Sequence, residues 1–174
     1  AKEYTYSLQT IHKARKTYQA LNNLGECASV AIVGAGLSGV ELAAELIESR
    51  PDLKIKLFDR GANILSAFSP RLSDYVAGWF KKNNVEIISK SNITKVEENI
   101  LYNHDIPIQS DVIVWTAGIQ PHKIVRELPI EKANSGRVKV TPLHQVPGYE
   151  NVFVVGDCAD LDHAPSGQLA EAQA

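Results

Sequence analysis

The spacing Gly34-x-Gly36-x-x-Gly39 constrains this chain more than any other feature, because of what stands on either side of it. Before it runs Ser29-Val30-Ala31-Ile32-Val33, a short continuous apolar run of the kind that forms a parallel strand buried on both faces. After it, Val40, Ala43, Ala44 and Ile47 fall on one side of a helix from about Val40 to Ser49, which Pro51 stops. A second strand, Lys54-Ile55-Lys56-Leu57-Phe58-Asp59, follows and ends in an acid twenty positions beyond Gly39. Strand, tight turn, helix and strand in that order make a right-handed crossover of about 30 residues. Each glycine has a task there: Gly34 for the turn, Gly36 for close approach of a ligand to the backbone, Gly39 for helix–strand packing. The helix start supplies unpaired N–H groups and a partial positive charge suited to a pyrophosphate. Asp59 is placed to accept both hydroxyls of an adenosine ribose. A 2′-phosphate would meet that carboxylate with like charge, which favours NAD(H); Arg60, next to it, keeps NADP(H) open. FAD uses the same fingerprint, but a helix precedes this strand, whereas FAD-first folds usually open on it.

The rest of the chain extends the same architecture. Leu8, Ile11, Ala14, Tyr18 and Leu21 predict an amphipathic helix ended by Asn22-Asn23 and Gly25. Ser69-Pro70 caps a second one carrying Leu72, Tyr75, Val76, Trp79 and Phe80. Strands are expected at 85–88, 93–96, 99–102, 111–115, 137–140 and 151–155, the 93–102 pair antiparallel, with a short helix over 122–128. The fold class is therefore α/β: a Rossmann-like domain with a parallel sheet flanked by helices and an antiparallel add-on.

Composition removes several classes. A formal net charge of -2 offers no basic face for nucleic acid. No apolar run approaches the ~18 residues of a spanning helix. Cys27 and Cys158, the only two cysteines, form no CxxC pair, so a reducing cytosol is the expected compartment. No Tyr is followed four residues on by Lys, as in short-chain dehydrogenases, and no GxxxxGK[ST] loop occurs. Cys158, Asp160, Asp162 and His163 match no standard zinc spacing, and no metal is expected. The chain contains no methionine and stops in an alanine-rich helical pattern without a terminator, as a piece of a longer protein would.

Three segments carry a resemblance. Val30 to Leu46 resembles the NAD-binding segment of the FAD/NAD-linked pyridine-nucleotide oxidoreductases. Trp115-Thr116-Ala117-Gly118-Ile119 resembles their strand-end turn beside nicotinamide and flavin, and Val152 to Ala159 their second FAD motif. The closest resemblance is to type II NADH dehydrogenases, the single-subunit NADH:quinone oxidoreductases. It rests on Gln9 to Arg15, on Gly39-Val40-Glu41-Leu42, and on Pro165 to Gln173, which is similar to a quinone-site AQxAxQQ motif. Gly167 and Ala172 depart from that motif, while Gln168, Ala170 and Gln173 fit it.

The resemblance implies that residues 1–26 end a FAD-binding part, 27–147 form the NAD(H)-binding domain, and 148–174 return to the FAD-binding domain. It implies NAD(H) at Gly34, Gly36, Leu37, Ser38, Gly39, Asp59, Ala117 and Gly118, and FAD at Gly156 and Asp157. It also implies a role near the nicotinamide or in proton handling for Glu41, and an acceptor, a quinone, near Gln168 and Gln173. Membrane contact, on the cytoplasmic face, would come only through parts outside this chain; a homodimer stays open. The fragment alone is expected neither to hold FAD tightly nor to turn over. NADH-dependent disulfide or ferredoxin-type reductases share these motifs, and a non-catalytic NAD(H)-sensing module shares the glycine turn but has no use for Gly156-Asp157.

Overall fold

The computed structural model describes residues 3–118, 120–162 and 167–174, apart from the side chain of Gln168. The chain divides into two compact units, residues 1–118 and 119–174.

In the first unit, β1 (Ser29–Val33), β2 (Lys54–Phe58), β3 (Glu86–Ile88) and β7 (Val112–Trp115) form one sheet in the order β3-β2-β1-β7, every pair parallel. The apolar runs are continuous because both faces are covered, and alternate side chains serve different cores. Val30, Ile32, Ile55, Leu57, Val112 and Val114 pack under α1 (Ile11–Asn22), α2 (Leu37–Ser49) and α3 (Pro70–Lys82). Ala31, Val33, Phe58 and Ile113 pack against Val96 and Leu101 of a separate antiparallel sheet, β4 (Ile93–Glu97), β5 (Ile100–Asn103) and β6 (Ile106–Gln109). Ile32, Leu57, Phe58 and Val114 are fully buried at the centre. Each such side chain contributes roughly 1.5–3 kcal/mol when taken from water.

Three details of this unit differ from the sequence reading. The face of α1 that packs inward carries Thr17 and Leu21, while Ile11 and Tyr18 are 74% and 67% exposed. The Thr17 hydroxyl lies 3.0 Å from the carbonyls of both Ser7 and Lys13, and its single hydrogen goes to one of them or is shared. Helix α2 begins at Leu37 rather than near Val40, so Glu41 stands past the first turn and is not an N-terminal dipole partner. Strand β6 was unforeseen: Pro107 hides it, yet proline is tolerated on this edge strand. Its hairpin turns at His104-Asp105, both at positive φ, without the Asn-Gly that signals such a turn.

The second unit is held by short elements: α4 (Lys123–Glu127), β8 (Val138–Lys139), a 3₁₀ turn at Gly156–Cys158, β9 (Ala159–Asp160) and α5 (Gly167–Gln173). Strands β8 and β9 run parallel. The strand expected over 151–155 does not form. Its segment makes an isolated bridge from Phe153 to Gln145 and leaves Phe153 60% exposed. An apolar run becomes a strand only where a neighbour supplies a ladder, and the described residues of this unit supply only that short contact.

Candidate functional site

All four parallel strands end at one edge, and there the chain reverses strand order: β2 lies on one side of β1 and β7 on the other. In open α/β sheets this switch point leaves a crevice beyond the carboxyl ends of the strands. The glycine turn, Asp59 and Thr116-Ala117-Gly118 follow β1, β2 and β7 directly, so the fold brings these predicted residues together at that edge.

The three turn glycines are glycine for different reasons. Gly34 sits at φ +110°, and a Cβ on it would lie 2.7 Å from the Ala117 nitrogen. A Cβ on Gly39 would lie 1.9 Å from the Gly34 carbonyl oxygen, so α2 and the turn touch backbone to backbone. Gly36 has ordinary extended backbone (φ -72°, ψ -173°), and a Cβ there would meet nothing within 4 Å. Protein packing therefore explains two of the glycines and not the third. The bare backbone at Gly36 faces open space, which is the requirement for a ligand approaching the main chain.

Gly36 is also the N-cap of α2 and offers no side-chain cap. The first helical bond after it is Val40 N–H to Gly36 O, at 3.0 Å, which leaves the amides of the opening turn, those of Leu37, Ser38 and Gly39, outside the helical ladder. A diphosphate fits this cradle by charge and by donor geometry.

Asp59 is already engaged. Its Oδ2 accepts the Ala35 N–H at 2.7 Å and its Oδ1 accepts the Gly61 N–H at 2.7 Å. A carboxylate has about four acceptor positions, so two remain for hydroxyl donors. Asp59 thus ties the end of β2 to the glycine turn, a structural task that the spacing alone did not indicate. Arg60 is exposed beside it. Leu65 supports the turn from another side, its N–H donating to the Ala35 carbonyl at 2.8 Å. Gly118, at φ +74°, has nothing within 4 Å of where a Cβ would stand. Glu41 is exposed on α2, one turn beyond the cradle.

Sequence reasoning overlooked Thr116, although it lies inside a quoted motif. Its hydroxyl stands 2.8 Å from the Gly34 carbonyl and 3.1 Å from that of Val33. No spacing rule reports a bond between strands 83 residues apart in the chain.

In the second unit, Gly156 takes φ +63° and a Cβ on it would lie 2.9 Å from the Ala170 Cβ, so the glycine lets α5 sit close. Gln173 Oε1 accepts the Gly156 N–H at 2.9 Å. Asp157 is exposed, and its carbonyl accepts from Arg137 Nε at 3.0 Å. Gln168 belongs to α5, but its side chain lies outside the described residues, as does His163 of the Cys158–His163 cluster. Among the described residues no group of three or more His, Cys, Asp or Glu is placed to hold a metal ion, and no helix is long and apolar enough to cross a membrane.

A Rossmann-type sheet with an antiparallel add-on, and a bare glycine cradle at its switch point, is the architecture of FAD/NAD oxidoreductases. The model of the pyridine nucleotide-disulphide oxidoreductases matches residues 1–174, and the chain belongs to that family. The NADH dehydrogenase-like protein YutJ of Bacillus subtilis (strain 168) is 65% identical over 174 residues, which is 100% of this chain and 49% of that protein. The type II NADH:quinone oxidoreductase Ndh of Mycobacterium tuberculosis (strain ATCC 25618 / H37Rv) is 31% identical over 156 residues, 77% of this chain and 34% of that one. The chain thus spans about half the length of YutJ, and less of Ndh. Among solved structures, NDH2 from Plasmodium falciparum in complex with NADH shares the fold at TM-score 0.74 and 20% identity, over 94% of this chain and 41% of that one. Reduced CoADR-RHD of Bacillus anthracis does so at TM-score 0.79 and 17% identity, over 98% and 32%.

Proposed function

We propose that this chain is the NAD(H)-binding part of a type II-like NADH dehydrogenase, which takes a hydride from NADH onto FAD and delivers the electrons to a quinone. The observation that carries the reading is Gly36, a glycine that packing within the protein does not require, at the opening of α2. The similarity to YutJ and to a type II NADH:quinone oxidoreductase supports the flavin and acceptor steps.

When bound together, the two cofactors supply hydride transfer between nicotinamide and flavin. The chain's own residues supply binding and placement. Gly34, Gly36 and Gly39 shape the turn, and the amides of Leu37 and Ser38 hold the pyrophosphate. Asp59 accepts the ribose hydroxyls with its remaining lone pairs, and its charge disfavours a 2′-phosphate. Ala117 and Gly118 leave room for the nicotinamide ring. Glu41, one helical turn from the cradle, is the residue for a nicotinamide contact or for holding a proton near the acceptor. On the flavin side, Gly156 and Asp157 would hold the ribityl chain. Gln168 and Gln173 are the acceptor-site candidates of the quinone-like motif, and Gln173 also braces the Gly156 amide. In domain terms, 27–147 serve NAD(H), and 1–26 and 148–174 belong to the flavin part.

Two measurements test this. A calorimetric titration of the chain with NADH and NADPH should show NADH binding well ahead; equal binding of the two would remove the assigned role of Asp59. The full-length protein should purify with flavin and reduce a quinone at the expense of NADH, and Glu41→Gln should lower turnover or acceptor affinity. A colourless full-length protein would refute the flavin reading, and unchanged kinetics would retire Glu41.

A further inference from the structure

We infer that Thr116 is a positioning residue that locks the glycine turn for pyrophosphate binding; the inference rests on the NAD(H) reading of that turn. The end of β7 meets the turn through four contacts. The N–H groups of Thr116 and Ala117 both donate to the Val33 carbonyl, at 2.9 and 3.0 Å, and occupy its two lone pairs. The Thr116 hydroxyl has one hydrogen, and its shorter contact, 2.8 Å against 3.1 Å, assigns that hydrogen to the Gly34 carbonyl.

That carbonyl and the Ala35 N–H belong to a single peptide plane. Asp59, from the end of β2, accepts the Ala35 N–H at 2.7 Å. The plane is therefore held at both ends by the two strands that flank β1: β7 grips its oxygen and β2 grips its hydrogen. Gly34, at φ +110° and without a Cβ, cannot restrain the plane by itself, because glycine rotates freely there. The same oxygen lies 1.9 Å from where a Cβ of Gly39 would stand, so its position also sets how the opening turn of α2 seats. Rotation of this one plane would re-aim the amides that follow it. With its hydroxyl hydrogen given to Gly34, Thr116 acts on the cradle through that carbonyl.

The test compares the 174-residue chain with Thr116→Ala, which deletes the hydroxyl, and Thr116→Ser, which keeps it. NADH and ADP-ribose are each titrated by calorimetry. Both ligands carry the pyrophosphate and only one the nicotinamide, so Thr116→Ala should weaken both by the same factor, about tenfold for a lost buried partner. Thr116→Ser should restore both. Should Thr116→Ala fail to fold, Thr116→Val, which keeps the volume, takes its place. Unchanged affinity, or loss for NADH alone, overturns the inference, the latter because it would mean a nicotinamide contact. If the wild-type chain binds neither ligand, the NAD(H) reading of the isolated chain fails separately. Amide exchange over residues 34–39 without ligand then decides: faster exchange in the alanine variant than in wild type and serine supports the lock, and equal rates overturn it.

Discussion

Adding a single methyl at Gly36 and at Gly39 should give opposite outcomes. At Gly39 the new Cβ would stand 1.9 Å from a backbone carbonyl and 2.9 Å from the Thr116 hydroxyl oxygen. No flexible side-chain end is available to move away from that carbonyl, so α2 must lift from the turn. Overpacking of this kind costs about 1–3 kcal/mol and occasionally more, and the backbone contact puts Gly39→Ala at the upper end. Alanine regains about 1 kcal/mol of helix propensity over glycine. The net loss is about 2 kcal/mol, or a fall of about 4–8 °C in Tm for a chain of this size. At Gly36 the methyl meets nothing, and φ and ψ are ordinary for any residue. The cost there is the poorer N-cap, about 0.5–1 kcal/mol, largely offset by the lower entropy of the unfolded chain, about 0.4–1 kcal/mol. Gly36→Ala should therefore melt within about 3 °C of wild type yet bind NADH at least about tenfold more weakly, since the methyl occupies the ligand's approach. Thermal unfolding and calorimetry on both variants check this. A Gly36→Ala chain that binds NADH as well as wild type would refute the argument that the open space at Gly36 serves a ligand. A Gly39→Ala chain that melts like wild type would refute the backbone contact.

Other outcomes follow from single contacts. Asp111 accepts the N–H and the hydroxyl of Ser29, each at 2.7 Å, and these bonds hold its carboxyl below the usual carboxylate range. A depressed folded-state pKa gives stability that is present above the unfolded value, near about 3.9, and lost as pH falls through the folded one. The urea midpoint of wild type should therefore exceed that of Asp111→Asn at pH 6, and the gap should narrow as pH falls below about 4 toward the folded pKa; a constant gap would contradict the linkage. Arg50 donates to Asp52 and to the carbonyls of Leu21, in the last turn of α1, and of Leu24 just after it. Arg50→Ala should lower the urea midpoint, and Arg50→Lys should recover only part of the loss, because an ammonium lacks the planar fork. Gly156→Ala puts a side chain at φ +63° and 2.9 Å from Ala170. At about 1–2 kcal/mol for the left-handed backbone alone, it should free α5 to limited proteolysis while leaving cleavage within residues 3–118 unchanged.

Patterns that depend on near neighbours in the chain were legible from sequence alone. The two-sided burial of β1, the Ser69-Pro70 cap of α3, the antiparallel pair after β3 and the glycine turn between β1 and α2 all follow from apolar runs, caps and turn chemistry within a few residues. What the sequence left undecided depends on partners distant in the chain. Ile11 and Tyr18 satisfied a helical stripe, yet the buried side of α1 is rotated onto Thr17 and Leu21. Val152 to Val155 have strand composition but no ladder to join beyond Gln145. Asp59 was readable as an acid for a ribose, but not as the acceptor of the Ala35 amide across 24 residues. Thr116 was visible as a letter in a turn, and only the pairing of β7 with β1 brings its hydroxyl to the Gly34 carbonyl. Local sequence determined which backbone conformations were available; tertiary structure decided which donors meet which acceptors, because a hydrogen bond depends on distance in space and a sequence records only distance along the chain.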